Sequence, residues 1–78
     1  MRIVVANLPE AVSEEGIREA LGTFAPVDKI KLVKEGGTPS ALIEMDITRA
    51  QAEALAKRIN GRSYEGRELR AWVSAMDW

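Results

Sequence analysis

The spacing of apolar residues changes several times along the chain, and each change marks an element. Ile3-Val4-Val5-Ala6 is a short apolar run rich in β-branched residues, the pattern of a buried strand. Asn7-Leu8-Pro9 ends it, because Pro9 has no N–H to give to a ladder. After Ser13, a good N-cap, Ile17, Ala20, Leu21 and Phe24 recur at helical spacing. Glu14, Glu15, Arg18 and Glu19 fall on the wet side, and Pro26 bars continuation. Gly16 inside this helix costs about 1 kcal/mol relative to alanine. Val27 to Lys34 alternates in its centre, as a strand with one buried face does. Glu35-Gly36-Gly37-Thr38-Pro39 is a turn, and Ser40 to Met45 alternates again. Thr48 with Gln51 three residues on is a capping-box signature. It opens a helix whose stripe is Ala52, Leu55, Ala56 and Ile59 and which Asn60-Gly61 closes. Tyr64-Glu65-Gly66 is a turn, and Leu69 to about Ser74 is the last strand.

The order is β-α-β-β-α-β. Right-handed crossovers place both helices on one face of a four-stranded antiparallel sheet and leave the other face open. The predicted core is Ile3, Val5, Ile17, Leu21, Phe24, Ile30, Leu32, Ala41, Ile43, Leu55, Ile59 and Leu69. Strand parity predicts the open face: Arg2, Val4 and Ala6; Lys29, Lys31 and Val33; Ser40, Leu42 and Glu44; Arg70, Trp72 and Ser74. Met76 and Trp78 share the parity of Trp72 and could fold back over that face.

Composition narrows the chemistry. With 78 residues the chain is expected to be one domain, residues 1–78. There is no cysteine and no histidine, which removes the thiolate, the commonest general base and the commonest metal ligand. The serines have nothing to activate them, and Gly36-Gly37-Thr38 lacks the lysine of a phosphate loop. An enzyme is therefore not expected, nor any cofactor or metal. The opening residues are too short an apolar run for a secretory signal, and nothing approaches a membrane span. An intracellular, cytoplasmic location is the expectation, with no membrane partner. The net charge is −1, without the basic balance of a dedicated nucleic-acid binder. The predicted open face nonetheless has four cations, Arg2, Lys29, Lys31 and Arg70, against Glu44 alone, so the remainder is acidic.

The chain resembles the RNA-recognition motif family over nearly its whole length. The family's first-strand motif, aliphatic-aromatic-aliphatic-any-Asn-Leu, is matched by Ile3-Val4-Val5-Ala6-Asn7-Leu8. At the place of its third-strand motif, basic-Gly-aromatic-small-aromatic-aliphatic-any-aromatic, the chain reads Thr38-Pro39-Ser40-Ala41-Leu42-Ile43-Glu44-Met45. Ser13-Glu14-Glu15 before the first helix, and Ile59-Asn60-Gly61 followed by Gly66-Arg67-Glu68-Leu69, are also similar to the family. The resemblance implies an α+β ferredoxin-like sandwich with sheet order 4-1-3-2 and two helices on one face. It also implies single-stranded RNA as the ligand of the open sheet. The family's stacking aromatics correspond to Val4, Ser40 and Leu42, and none is aromatic here. RNA binding is therefore expected to be weak and unlike the family's usual mode.

In that expectation Arg2, Lys29, Lys31 and Arg70 hold phosphates, Trp72 stacks one base, and Ser40 and Glu44 bond base edges beside Val4 and Leu42. The alternative is a protein-interaction module that meets a partner, or a second copy of itself. It would use the apolar stripe Val4, Ala6, Val33, Leu42 and Trp72, or the helical side.

Overall fold

The computed structural model describes residues 1–34 and 37–74. Six strands and two helices follow in the order β1 (Arg2–Ala6), α1 (Glu14–Gly22), β2 (Val27–Val33), β3 (Ser40–Met45), α2 (Arg49–Ile59), β4 (Ser63–Tyr64), β5 (Arg67–Glu68) and β6 (Arg70–Ser74). The main sheet runs β2-β3-β1-β6, every neighbour antiparallel. With β6 as the fourth long strand, this is the 4-1-3-2 order read from the sequence. The segment read as a turn is a small hairpin, β4 with β5. Its loop has positive φ at both Glu65 and Gly66, as a type I′ turn requires. No helix among the described residues is long and apolar enough to cross a membrane.

The alternation that predicted the strands decides their two faces. Along β1 and β3 every second residue is buried, and the residues between are half-buried. Ile3, Val5, Ala41, Ile43 and Met45 point under the helices and join Leu21, Ala52, Leu55 and Ala56 in the core. In β2 the register slips between Val27 and Lys29, leaving Asp28 as the extra residue. That bulge changes the parity. It lets Val27 pack on the core with Ile30 and Leu32, while Lys29 and Lys31 turn to the other face.

The helices are set by their caps. Ser13 Oγ accepts from the Gly16 N–H at 3.1 Å, and Glu14 and Glu15 occupy the first turn of α1. A side chain at position 16 would press on that hydroxyl, at 3.3 Å from its Cβ, which gives the helical glycine a local reason. Val12, one residue before the cap, is buried, and Ile17 packs on the same core. The two hold the positions of a hydrophobic staple. The capping box of α2 is complete: Thr48 Oγ1 accepts from the Gln51 N–H at 3.2 Å, and Gln51 Oε1 accepts from the Thr48 N–H at 3.0 Å. Replacing Thr48 with alanine breaks the first of these bonds. The expected cost is about 1 kcal/mol, read as a lower urea midpoint, with Thr48→Ser retaining most of it. An unchanged midpoint in Thr48→Ala would show that the box does not hold the helix.

The core departs from expectation at one large residue. Phe24 was predicted buried but is 51% exposed. The helical spacing Ile17, Leu21, Phe24 assumes that the helix runs on, whereas α1 stops at Gly22. Thr23 and Phe24 both give their N–H groups to Leu21 O, a tighter turn than the helix before it. The ring thus leaves the buried stripe and lies under the guanidinium of Arg58, 4.9 Å from its centre. Leu8, Val12, Met45, Ala52 and Ala56 are buried in addition to the predicted set. Ile17, Ile30, Leu32, Ile59 and Leu69 pack on the core from partly buried positions.

Candidate nucleic-acid interface

The β ladders bring residues distant in sequence into rows across the open face. Trp72 pairs with Val4, Val4 with Leu42, and Leu42 with Lys31, so one row crosses all four strands. A second row is Ser74, Arg2, Glu44 and Lys29. Towards the other end Arg70 pairs with Ala6, and Ser40 with Val33. Every residue assigned to the open face by parity lies on it. The reason is the period of two: with Ile3, Val5, Ala41 and Ile43 held in the core, their neighbours have no other side to take.

The local backbone fixes these strands at both ends. The N–H of Met45 donates to Met1 O at 3.0 Å, and the N-terminal amine donates to Met45 O at 2.8 Å. At the other end the Leu8 N–H donates to Pro39 O at 3.0 Å. Asn7, read from the sequence only as the end of the strand, has φ 63° and donates from Nδ2 to Glu68 O at 2.7 Å. Asparagine tolerates that left-handed backbone, and its amide ties the end of β1 to β5. Asn60 makes the matching link on the other side. Its Oδ1 accepts from the Ala71 N–H at 3.2 Å and so anchors β6 to the end of α2. The strand carrying Trp72 is thereby held to the helix layer.

The charges are not all equally available. Arg2 Nη2 lies 3.1 Å from Glu44 Oε1, with both side chains about a third exposed. Lys29 stands opposite Glu44 on the other flank. The carboxylate therefore tempers one end of the face. Lys31 and Arg70, at opposite sheet edges, are exposed and lie outside that pair. Trp72 is 48% exposed and is the aromatic of this face among the described residues. Val4, Ser40 and Leu42 are half-buried and offer small or aliphatic surface where the family places rings. The sheet can attract phosphate at its margins and offer one stacking surface near β6.

Sequence reasoning missed one cation beside this face. Arg18 on α1 was read only as a wet-side residue, yet its Nη1 donates to Val27 O at 2.9 Å. It lines an open cavity of about 430 Å³ at the β2 margin with Asp28, Lys29, Lys31 and Glu44. Its signal in sequence was faint, because only the packing of α1 on β2 brings residue 18 to that edge. The proposed folding back of Met76 and Trp78 falls outside the described residues.

Comparison with known proteins agrees with this architecture. Curated protein sequences contain no match to the chain. Among solved structures, the RNA binding protein PG1 superposes with a TM-score of 0.82 at 22% identity, covering 99% of this chain and 96% of its own. The C. elegans NONO-1 homodimer superposes with a TM-score of 0.80 at 31% identity, over 95% of this chain and 28% of that one. The Rna15 RRM with bound RNA (GU) gives 0.78 at 20% identity, over 96% and 83%. The family profile described as the RNA recognition motif matches residues 3–70, so that both helices, the inner strands and the start of β6 fall within it. The chain belongs to the RNA recognition motif family.

Proposed function

We propose that the open sheet face is a single-stranded RNA-binding surface that works through charge and one stacking contact. Family membership supports RNA as the ligand class. The observation that carries the reading is the row Trp72-Val4-Leu42-Lys31, which puts an exposed indole at one end and an ammonium at the other. Lys29, Lys31 and Arg70 hold phosphates along the margins. Arg2 contributes through its pair with Glu44, which orients both groups beside the strand's path. Ser40 and Glu44 bond base edges, and Val4 and Leu42 give the bases an apolar floor. The reading assigns no catalytic step and needs no cofactor. It places the protein inside the cell, with the cytoplasm as the proposed compartment.

Stacking is worth about 1–3 kcal/mol per base, so a face with one ring in place of three binds weakly. The expected dissociation constant is on the order of 10⁻⁵ M or weaker near physiological salt. Phosphate contacts to a single strand each contribute a slope of about −0.7 in log K against log salt. With about three cations engaged, affinity rises roughly eighteenfold as salt falls from about 200 to 50 mM. Fluorescence anisotropy of labelled short RNAs across that range checks it. Nanomolar binding to a short RNA near 150 mM salt, or an affinity flat in salt, would contradict the reading.

The exposure of Trp72 favours one second reading: self-association or a protein contact centred on that indole, where tryptophan is a favoured anchor. In that case concentration, and not RNA, changes the surroundings of Trp72.

A further inference from the structure

The row of residues that crosses the open face ends in a cavity at the β2 edge. Leu42 and Lys31, its last two members, both line this open space of about 430 Å³. The bulge shapes the place. Asp28, the extra residue, breaks the alternation of β2 at the edge, and the packing of α1 on β2 brings Arg18 to the same spot. The lining therefore comes from both layers, with Arg2 and Glu44 from the open face and Arg18 from α1. A strand that follows the row past Lys31 leaves the sheet through this cavity.

The charges decide what fits. Among the described residues the lining carries the cations Arg2, Arg18, Lys29 and Lys31 and the carboxylates Asp28 and Glu44. A site for phosphate alone gains nothing from carboxylates, which repel it. Glu44 is already engaged, 3.1 Å from Arg2 Nη2. Asp28 is exposed, and among the described residues no group bonds or pairs with its carboxylate. Arg18 gives one N–H to Val27 O at 2.9 Å, which fixes its guanidinium beside the bulge and leaves other donors available. The cavity thus sets an unpaired acceptor among cations. In a ribonucleotide the 2′-hydroxyl and the 3′-phosphate sit on adjacent sugar carbons, a donor beside an anion; DNA has the anion without the donor. We infer that Asp28 accepts a hydrogen bond from a ribose 2′-hydroxyl while Arg18 and Lys29 hold the adjoining phosphate, so that the bulge of β2 makes this face prefer RNA to DNA. The inference rests on the reading of the sheet as an RNA face and names what separates that ligand from DNA.

The test uses the whole chain, labelled with ¹⁵N, and three pools of short single strands at low salt. The pools share one set of base sequences, with uracil in place of thymine, and differ only in carrying a 2′-hydroxyl, 2′-hydrogen or 2′-fluorine. The hydroxyl pool is expected to bind at least about fivefold tighter than either of the others, as a hydrogen bond to a charged group in an open site does. It should shift the amides of Asp28, Lys29 and Lys31 together with Val4 and Trp72. Fluorine keeps the sugar pucker of RNA but donates nothing, so it separates the bond from the shape of the strand. Asp28→Ala removes an exposed side chain, so the spectrum should stay dispersed and the sheet amides should still shift. It should bring the three pools within about twofold of one another. Asp28→Asn, whose Oδ1 still accepts, should keep most of the preference. Arg18→Ala should weaken all three pools alike, by about threefold, because each carries the phosphate. Three outcomes would overturn the inference and leave the RNA face standing: equal binding of the pools by the unaltered chain, a fluorine pool that binds like the hydroxyl pool, or a preference that survives Asp28→Ala. If no pool shifts Val4 or Trp72, the RNA reading fails and this inference fails with it.

Discussion

Ile43→Ala should remove much of the domain's stability, with an expected loss of about 2–5 kcal/mol. Ile43 is fully buried and sits between Ile3 and Ile30 in the ladder, in the middle of β3. Its strand is paired on both sides, which restrains the backbone from closing on the space. A chain of 78 residues has a total stability of about 4–12 kcal/mol at usual values per residue. The variant should therefore show a large drop in the urea midpoint by far-UV circular dichroism, or no folded baseline at all. Phe24→Ala is the matched control. Its ring is half exposed and lies against the Arg58 guanidinium. It should lose about 1 kcal/mol or less, far below the 3–5 typical of a buried aromatic. If Phe24→Ala shifted the midpoint as much as Ile43→Ala, the exposure assigned to Phe24 would be wrong.

These two residues also mark where the fold was legible. Ile43 could be read because strand parity has only two states, and its neighbours Ala41 and Met45 agree with it. Phe24 could not be read from spacing alone. Its position satisfies the helical period, but the helix ends before the period does. Periodicity says which face a residue takes if the element continues; it does not say where the element stops. Val12 is the opposite case. It lies in a loop with no period, yet a buried residue just ahead of an N-cap is a known local pattern that could have been looked for. The bulge at Asp28 was visible only as the loss of alternation at the start of β2.

Trp72→Ala should leave the fold intact and weaken RNA binding by about 1–3 kcal/mol, or roughly five- to 150-fold. The side chain is 48% exposed and opposes Val4 away from the core, so its removal opens no internal cavity. Its loss takes away the one ring of this face among the described residues, and the cations remain. Trp72→Phe should recover part of the affinity, because a smaller ring still presents a π face. The measurement is a pair of anisotropy titrations with one short RNA at low salt, together with melting curves for both variants. Unchanged affinity in Trp72→Ala with an unchanged melt would remove the stacking role. A collapsed melt would instead place the indole in the packing.

The site was partly legible for the same reason as the strands. Parity assigned Arg2, Val4, Lys29, Lys31, Ser40, Leu42, Glu44, Arg70 and Trp72 to one surface, and the ladders place them there. What parity could not give was which charges meet. The Arg2–Glu44 pair depends on register across two strands separated by most of the chain, and a linear count treats both as independent. The place of Arg18 depends on how α1 settles against β2, which no local pattern encodes.

The central claim is that the sheet face, and not the helical side, receives RNA. A backbone amide titration of the ¹⁵N-labelled chain with a pool of short single-stranded RNAs at low salt tests it most directly. The account predicts shifts on Val4, Lys31, Leu42 and Trp72 across the four main strands, growing as salt is lowered. A flat spectrum, or shifts confined to α1 and α2, would contradict it.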